Sequence, residues 1–242
     1  REEPTASSGV VARLARSLAP GGTPSRAAAG GGPATVRERG PIAQLTDRVA
    51  FPWADYDTPF WARPNRSAGR WNDLGDEPTQ YWCLDPSAPW AELIRHEGLR
   101  EEAELDLLRA TLWAARWSIG PLADLGTFES ADAWGVDARV MVDDDQRASR
   151  SVAREVRSRG FAGLLAPSAA LPGSVTLVVF RPRILAAFGA APRLSAYVPA
   201  EVAAIGRPAT GLVGRVRHRG ERHSGLDAFR AAARARRRDP RT

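Results

Sequence analysis

The 242-residue chain is 43% hydrophobic and 26% charged, ordinary globular usage that excludes a wholly disordered or fibrous protein and leaves room for one domain with extensions. All 34 basic residues are arginine, which excludes Schiff-base, P-loop and kinase-strand lysine chemistry; one cysteine and three histidines exclude an internal disulfide and a zinc site of paired cysteines. The formal net charge of +6 lies at one end, because ten arginines face three carboxylates from Arg215 to Thr242 and the rest is near neutral.

Residues 1–40 are rich in Ala, Gly, Ser, Pro and Arg and are expected as a flexible extension, within which Val10, Val11, Leu14 and Leu18 are spaced for a short docking helix. The folded body is placed at 41–205. From Phe51 to Trp61 aromatics alternate with Asp and Pro, predicting an extended, turn-rich entry. The Ser87-Ala88-Pro89-Trp90 run predicts a helix capped by the Ser87 hydroxyl, carrying Glu92 near its positive end and stopping at Gly98. The stretch 107–119 reads as helix or strand, and the alternation of Trp113, Ala115, Trp117 and Ile119 favours strand toward its end.

Asp143, Asp144 and Asp145 ahead of Ala148, Val152, Ala153 and Val156 predict an amphipathic helix with an acidic start, ending at Gly160. Two short apolar runs, 161–166 and 174–180, predict buried strands. Helices and strands mixed without a βαβ rhythm give an α+β domain rather than a doubly wound sheet. Residues 206–242 form a basic, Arg-rich C-terminal tail. No apolar run is long enough to span a bilayer and no secretory signal is evident, so a cytoplasmic protein is expected, in keeping with the single cysteine.

The segment from Trp61 to Asn72 packs cations, indoles and amides together. Arginine offers a bidentate fork for phosphate, an aromatic face stacks a planar ring, and an asparagine amide bonds to its edge. A nucleotide-like ligand would use all of these; equally, Arg and Trp in this density make a ladder on a half-buried sheet.

Arg63, the Gly69-Arg70-Trp71-Asn72 run, Tyr81, the Ala88-to-Glu92 helix start and Ala166-Pro167-Ser168 occur in the order seen in the RES domain family, which the chain resembles over roughly residues 50–185. Known RES proteins are NAD-consuming toxins of toxin-antitoxin pairs with a fold like that of the ADP-ribosyltransferases. The resemblance implies a single ADP-ribosyltransferase-like domain, a mixed, split β-sheet with flanking helices. It also implies an enzyme that cleaves the nicotinamide–ribose bond and passes the ADP-ribosyl group to water, phosphate or protein. The partner it implies is an antitoxin on a separate chain, of helix-turn-helix type.

Carried over, the catalytic residues are Glu92, Arg63 and Ser168, and NAD is held by Arg63, Arg70, Asn72, Tyr81 and Ser168. Those types suit the reaction: a carboxylate stabilises an oxocarbenium-like state, an arginine clamps the pyrophosphate, and a tyrosine stacks on a ring. No metal is expected, because the leaving nicotinamide is already cationic within NAD. Trp71 reads as structural, and His96, one turn past Glu92, as a surface or packed side chain. The chain departs from many relatives at Ala68 and at Trp82, whose indole is expected to narrow the pocket. The alternative is an inactive RES-like scaffold that binds nucleic acid or an acidic partner through the basic tail, against which the neutral body counts.

Overall fold

The computed structural model describes residues 36–52, 67–181 and 200–238. The expected docking helix at 10–18, the aromatic entry beyond Pro52 and the candidate Arg63 lie outside the described residues.

Among the described residues six strands build the frame: β1 (Ile42–Pro52), β2 (Thr79–Cys83), β3 (Ala110–Asp124), β4 (Gly163–Pro167), β5 (Val175–Phe180) and β6 (Ala200–Gly206). The order β1-β2-β5-β4-β3 returns to its start because β1 also pairs with β3, so five strands close into a barrel-like ring. The 15-residue length of β3 permits this. Its first part pairs with β6, its last three residues run parallel to β4, and β1 lies along its other edge. The ambiguous 107–119 stretch is therefore strand from Ala110 onward, preceded by a 3-10 turn at Glu102–Leu107. The class is α+β, as the sequence predicts.

The two-residue period of the strands sorts side chains into an inner and an outer set. Trp82, Trp113, Trp117, Leu165, Leu177 and Val179 fill the ring, and Trp82 meets Trp117 edge-on with centroids 5.0 Å apart. Gly163 lets β4 approach its neighbour, since a Cβ there would stand 2.0 Å from the Val178 carbonyl oxygen.

Among the described residues four helices cover the outside: α1 (Ser87–Glu97), α2 (Phe128–Ala133), α3 (Arg147–Ser158) and α4 (Ser224–Arg238). α3 buries Val152, Ala153 and Val156 against the sheet, in line with its predicted stripe, and α4 adds Leu226 with the half-buried Phe229. α1 buries Ala88, Trp90, Ala91 and Ile94 against Leu212, Val213 and Val216. Segment 206–238 thus contributes apolar side chains to two outer cores beneath its surface arginines. The predicted Ser87 cap is corrected: the Asp85 carboxylate accepts from the Ser87 amide at 2.7 Å, and the Ser87 side chain makes no cap bond. An aspartate two residues earlier offers a stronger acceptor to the positive helix end. Gly98 closes α1 at φ 71°, as expected. Among the described residues no helix is long and apolar enough to cross a membrane.

Candidate active site

A cavity of about 450 Å³ opens on the outer face of β2 and β5, between α1 and the start of α3. The alternation of β2 aims Tyr81 and Cys83 at it, with Thr176 of β5 opposite Cys83. The same alternation sends Trp82 into the ring, where it is 0% exposed. Trp82 does not line the cavity, which corrects the expectation that its indole narrows the pocket.

The neutral wall is the Gly69-Arg70-Trp71-Asn72 turn. The Tyr81 hydroxyl donates to Asn72 Oδ1 at 2.6 Å and accepts from the Trp71 amide at 2.9 Å. Asn72 Nδ2 donates to the carbonyls of Ser67 (3.0 Å) and Asp73 (3.3 Å). Gly69 is required here, because a Cβ would lie 2.6 Å from both Asn72 Oδ1 and the Tyr81 hydroxyl. Trp71 is buried in the core beneath α3. From α3, Arg150 and Arg154 pair with Asp73 and Arg157 pairs with Asp76, so the arginine face of that helix staples the turn to the body. Burial pushes the Tyr81 phenol well above its ordinary value, and it remains a neutral donor.

Arg70 differs from its neighbours. Its Nη1 donates to the Asp143 carbonyl at 2.6 Å, and it has no carboxylate partner within ion-pair distance among the described residues. Burial pulls its guanidinium down to about 10, with the charge of Glu92 acting the other way. It is charged at neutral pH.

Glu92 stands on α1 in the cavity wall. Ser168, 1% exposed, follows β4 and donates its hydroxyl to Glu92 Oε1 at 3.3 Å, while that hydroxyl accepts from the amides of Ala170 (3.3 Å) and Leu171 (3.1 Å). Its three hydrogen bonds are made inside the protein, behind the glutamate rather than in the open space. His223 secures the serine from the rear: its Nδ1 accepts from the Leu226 amide at 3.2 Å, so Nε2–H donates to the Ser168 carbonyl at 3.0 Å. Burial holds His223 below its ordinary value, consistent with a neutral ring. Burial likewise pushes the Cys83 thiol up, reinforced by the charge of Glu92, so Cys83 stays protonated and is no nucleophile.

The third wall is ionic. Asp144 Oδ1 receives Arg95 Nη2 at 2.5 Å and Arg217 Nη1 at 2.9 Å, and Oδ2 accepts from the Gly220 amide at 2.6 Å. Burial alone would raise the Asp144 carboxyl, but the Gly220 amide and the two guanidinium groups outweigh it and hold it below its ordinary value.

Of the predicted site residues, the structure gathers Glu92, Arg70, Asn72 and Tyr81 around one cavity and places Ser168 behind Glu92, hydrogen-bonded to it but not lining the cavity. A family model described as RES domain matches residues 46–198. The chain belongs to the RES domain family. A Mycobacterium tuberculosis protein that bears the name "Probable NAD(+) phosphorylase" is 31% identical to this RES chain over 120 residues, 49% of this chain and 56% of that protein. The chain thus spans little more than half the length of that relative. A chain in the crystal structure of the M. tuberculosis MbcT-MbcA toxin-antitoxin complex superposes with a TM-score of 0.40 at 24% identity, over 55% of this chain and 76% of that one.

Arg95, Asp144, Gln146 and Arg219 also line the cavity of this RES protein and were not singled out from sequence. Arg95 had a usable signal, since it follows Glu92 by three residues on one helix face. Asp144 was readable only as helix-start charge, and nothing in the sequence places Arg219 beside residues more than a hundred positions earlier.

Proposed function

We propose that this RES protein breaks the bond between nicotinamide and ribose in NAD. The observation that carries the proposal is the Glu92 carboxylate, held by the Ser168 hydroxyl in the wall of a cavity that also presents the Arg70 guanidinium. The bonding electron pair leaves with nicotinamide, which becomes neutral, and positive charge develops at the anomeric carbon. Glu92 stabilises that charge or holds the ribose hydroxyls, and Ser168 positions it. Arg70 and Arg63 bind the pyrophosphate, Tyr81 flanks a ring, and Asn72 fixes Tyr81. The acceptor is water, phosphate or a protein side chain; the name of the mycobacterial relative supports phosphate. An ADP-ribosyltransferase-like architecture, a cytoplasmic location and an antitoxin of helix-turn-helix type on a separate chain complete the reading, and these follow the resemblance of the sequence.

The test is mass spectrometry of NAD incubated with the protein, with and without inorganic phosphate, beside Glu92→Gln and Arg70→Ala. Nicotinamide release that Glu92→Gln abolishes supports the reading, and the mass of the second product names the acceptor. NAD left intact throughout, with a cell extract as acceptor source, overturns it in favour of the inactive scaffold.

A further inference from the structure

Residues 215–223 lie beyond the 46–198 family match, yet they reach the cavity. The segment is pinned on both sides. The Arg217 amide donates to the Ala170 carbonyl at 2.8 Å, beside the Ser168 turn, and Arg217 Nη1 bonds to Asp144 and to the Val142 carbonyl at 3.1 Å. Residues 218–221 then form a tight turn: the Glu221 amide donates to the His218 carbonyl at 3.2 Å, and the Glu221 carboxylate accepts from the His218 amide at 2.9 Å. Gly220 takes the left-handed position at φ 83°, which such a turn requires, and its amide is tied to Asp144. Arg219 sits at the tip of this fixed turn.

Arg219 is exposed, lines the cavity and makes no hydrogen bond or ion pair among the described residues. It lies close enough to Arg95 for the two like charges to repel. The carboxylate that would offset them, Asp144, is already shared by Arg95, Arg217 and the Gly220 amide. A fixed turn therefore holds an uncompensated cation on the cavity wall, where an anionic group of a ligand would gain a charge-assisted hydrogen bond at little ordering cost. We infer that Arg219 is a specificity-determining residue that binds the phosphate-bearing part of the substrate, a subsite supplied by the segment outside the RES match. The identity of that substrate rests on the function proposed above.

The test uses the full chain and calorimetric titration with ADP-ribose, a probe that carries the phosphates and lacks nicotinamide, so binding is read without turnover. Arg219→Ala is expected to weaken binding about tenfold and Arg219→Lys less, the size of one exposed charge-assisted bond. Arg222→Ala, an exposed arginine paired with Asp227, is the control that leaves affinity unchanged. In turnover the Arg219→Ala effect falls on KM for NAD rather than on kcat. Wild-type and Arg219→Ala affinities within twofold of each other, or no ADP-ribose binding by either, overturn the inference. A wild-type protein that leaves NAD intact yet binds ADP-ribose through Arg219 upholds the subsite and overturns NAD cleavage instead; NAD cleavage with KM unmoved by Arg219→Ala does the reverse.

Discussion

Two walls of the same cavity are built by opposite means. The turn at 69–72 and Tyr81 form a wall of neutral hydrogen bonds, anchored from behind by the largely buried Arg150 and Arg157 of α3. The wall of Arg95 and Asp144, backed by Arg217, is built of charges taken largely out of water, with Arg95 8% and Arg217 9% exposed. Neutral bonds fix geometry over a wide pH range, whereas a buried ion cluster is stable only while every member is present and charged. Glu92 is hydrogen-bonded by the serine, and its charge acts on Arg70 of one wall and Arg95 of the other.

The largest expected effect is therefore at Glu92. Glu92→Gln keeps the shape and the Ser168 contact but removes the charge, and the proposed NAD cleavage should fall about a thousandfold, or ~4 kcal/mol of barrier, with the thermal midpoint nearly unmoved. Loss of activity accompanied by unfolding would make Glu92 a structural residue instead. On the ionic wall, Asp144→Ala strands two buried guanidinium groups and should cost about 3 kcal/mol by denaturant titration. Asp144→Asn, which keeps an acceptor for the Gly220 amide, should cost less. Equal losses in the two variants would show that charge alone, not shape or the acceptor for Gly220, holds this wall.

On the neutral wall, Gly69→Ala places a methyl 2.6 Å from the Asn72–Tyr81 pair and should cost about 1–3 kcal/mol by overpacking, with a loss of activity because Tyr81 must move. The ionic wall and the support behind Ser168 should also separate by pH. Asp144 titrates below its ordinary value when folded, so its contribution is complete above that value and is lost as pH falls through the folded pKa, below about 4. His223 is depressed too: its neutral form is the folded one, so stability is complete above about 6.5 and declines as pH falls below it. Each group contributes a slope of at most about 1.4 kcal/mol per pH unit. His218, likewise held below its ordinary value by burial, adds to the same window, so stability measured from pH 7.5 to 3 should fall in two stages, and His223→Gln should reduce the first without touching the second.

What the sequence made legible was local. Periodicity is a property of neighbours, so α3, β4 and β5 could be read from spacing, as could the stop at Gly98. The ordered set from Gly69 to Ser168 led to the RES family and to four side chains that line one cavity, with Ser168 bonded to one of them from behind. What was not legible depends on which way a strand faces or on pairing across the chain. Trp82 and Tyr81 are adjacent in sequence, but β2 places one inside the ring and the other on the cavity. Asp144 pairs with Arg217 across 73 positions, and spacing carries no information about such a partner. The Asp85 cap was missed because a serine beside a proline is an equally good local signal.

The smallest effects belong to α4, where the charge that dominates the composition is concentrated. Leu226 is buried and Phe229 rests on Phe128 with centroids 5.8 Å apart, whereas Arg234, Arg236, Arg237 and Arg238 are exposed. Exposed charges away from packed contacts move stability by less than about 0.5 kcal/mol, so Arg234→Ala with Arg237→Ala should leave both the unfolding midpoint and the proposed NAD cleavage unchanged. The same pair separates the two readings of the basic end. A steep salt dependence of nucleic-acid binding that the double substitution flattens would assign these arginines a polyanion contact. Weak binding that it leaves unaltered would make them the solvated face of a helix whose apolar side packs on the body.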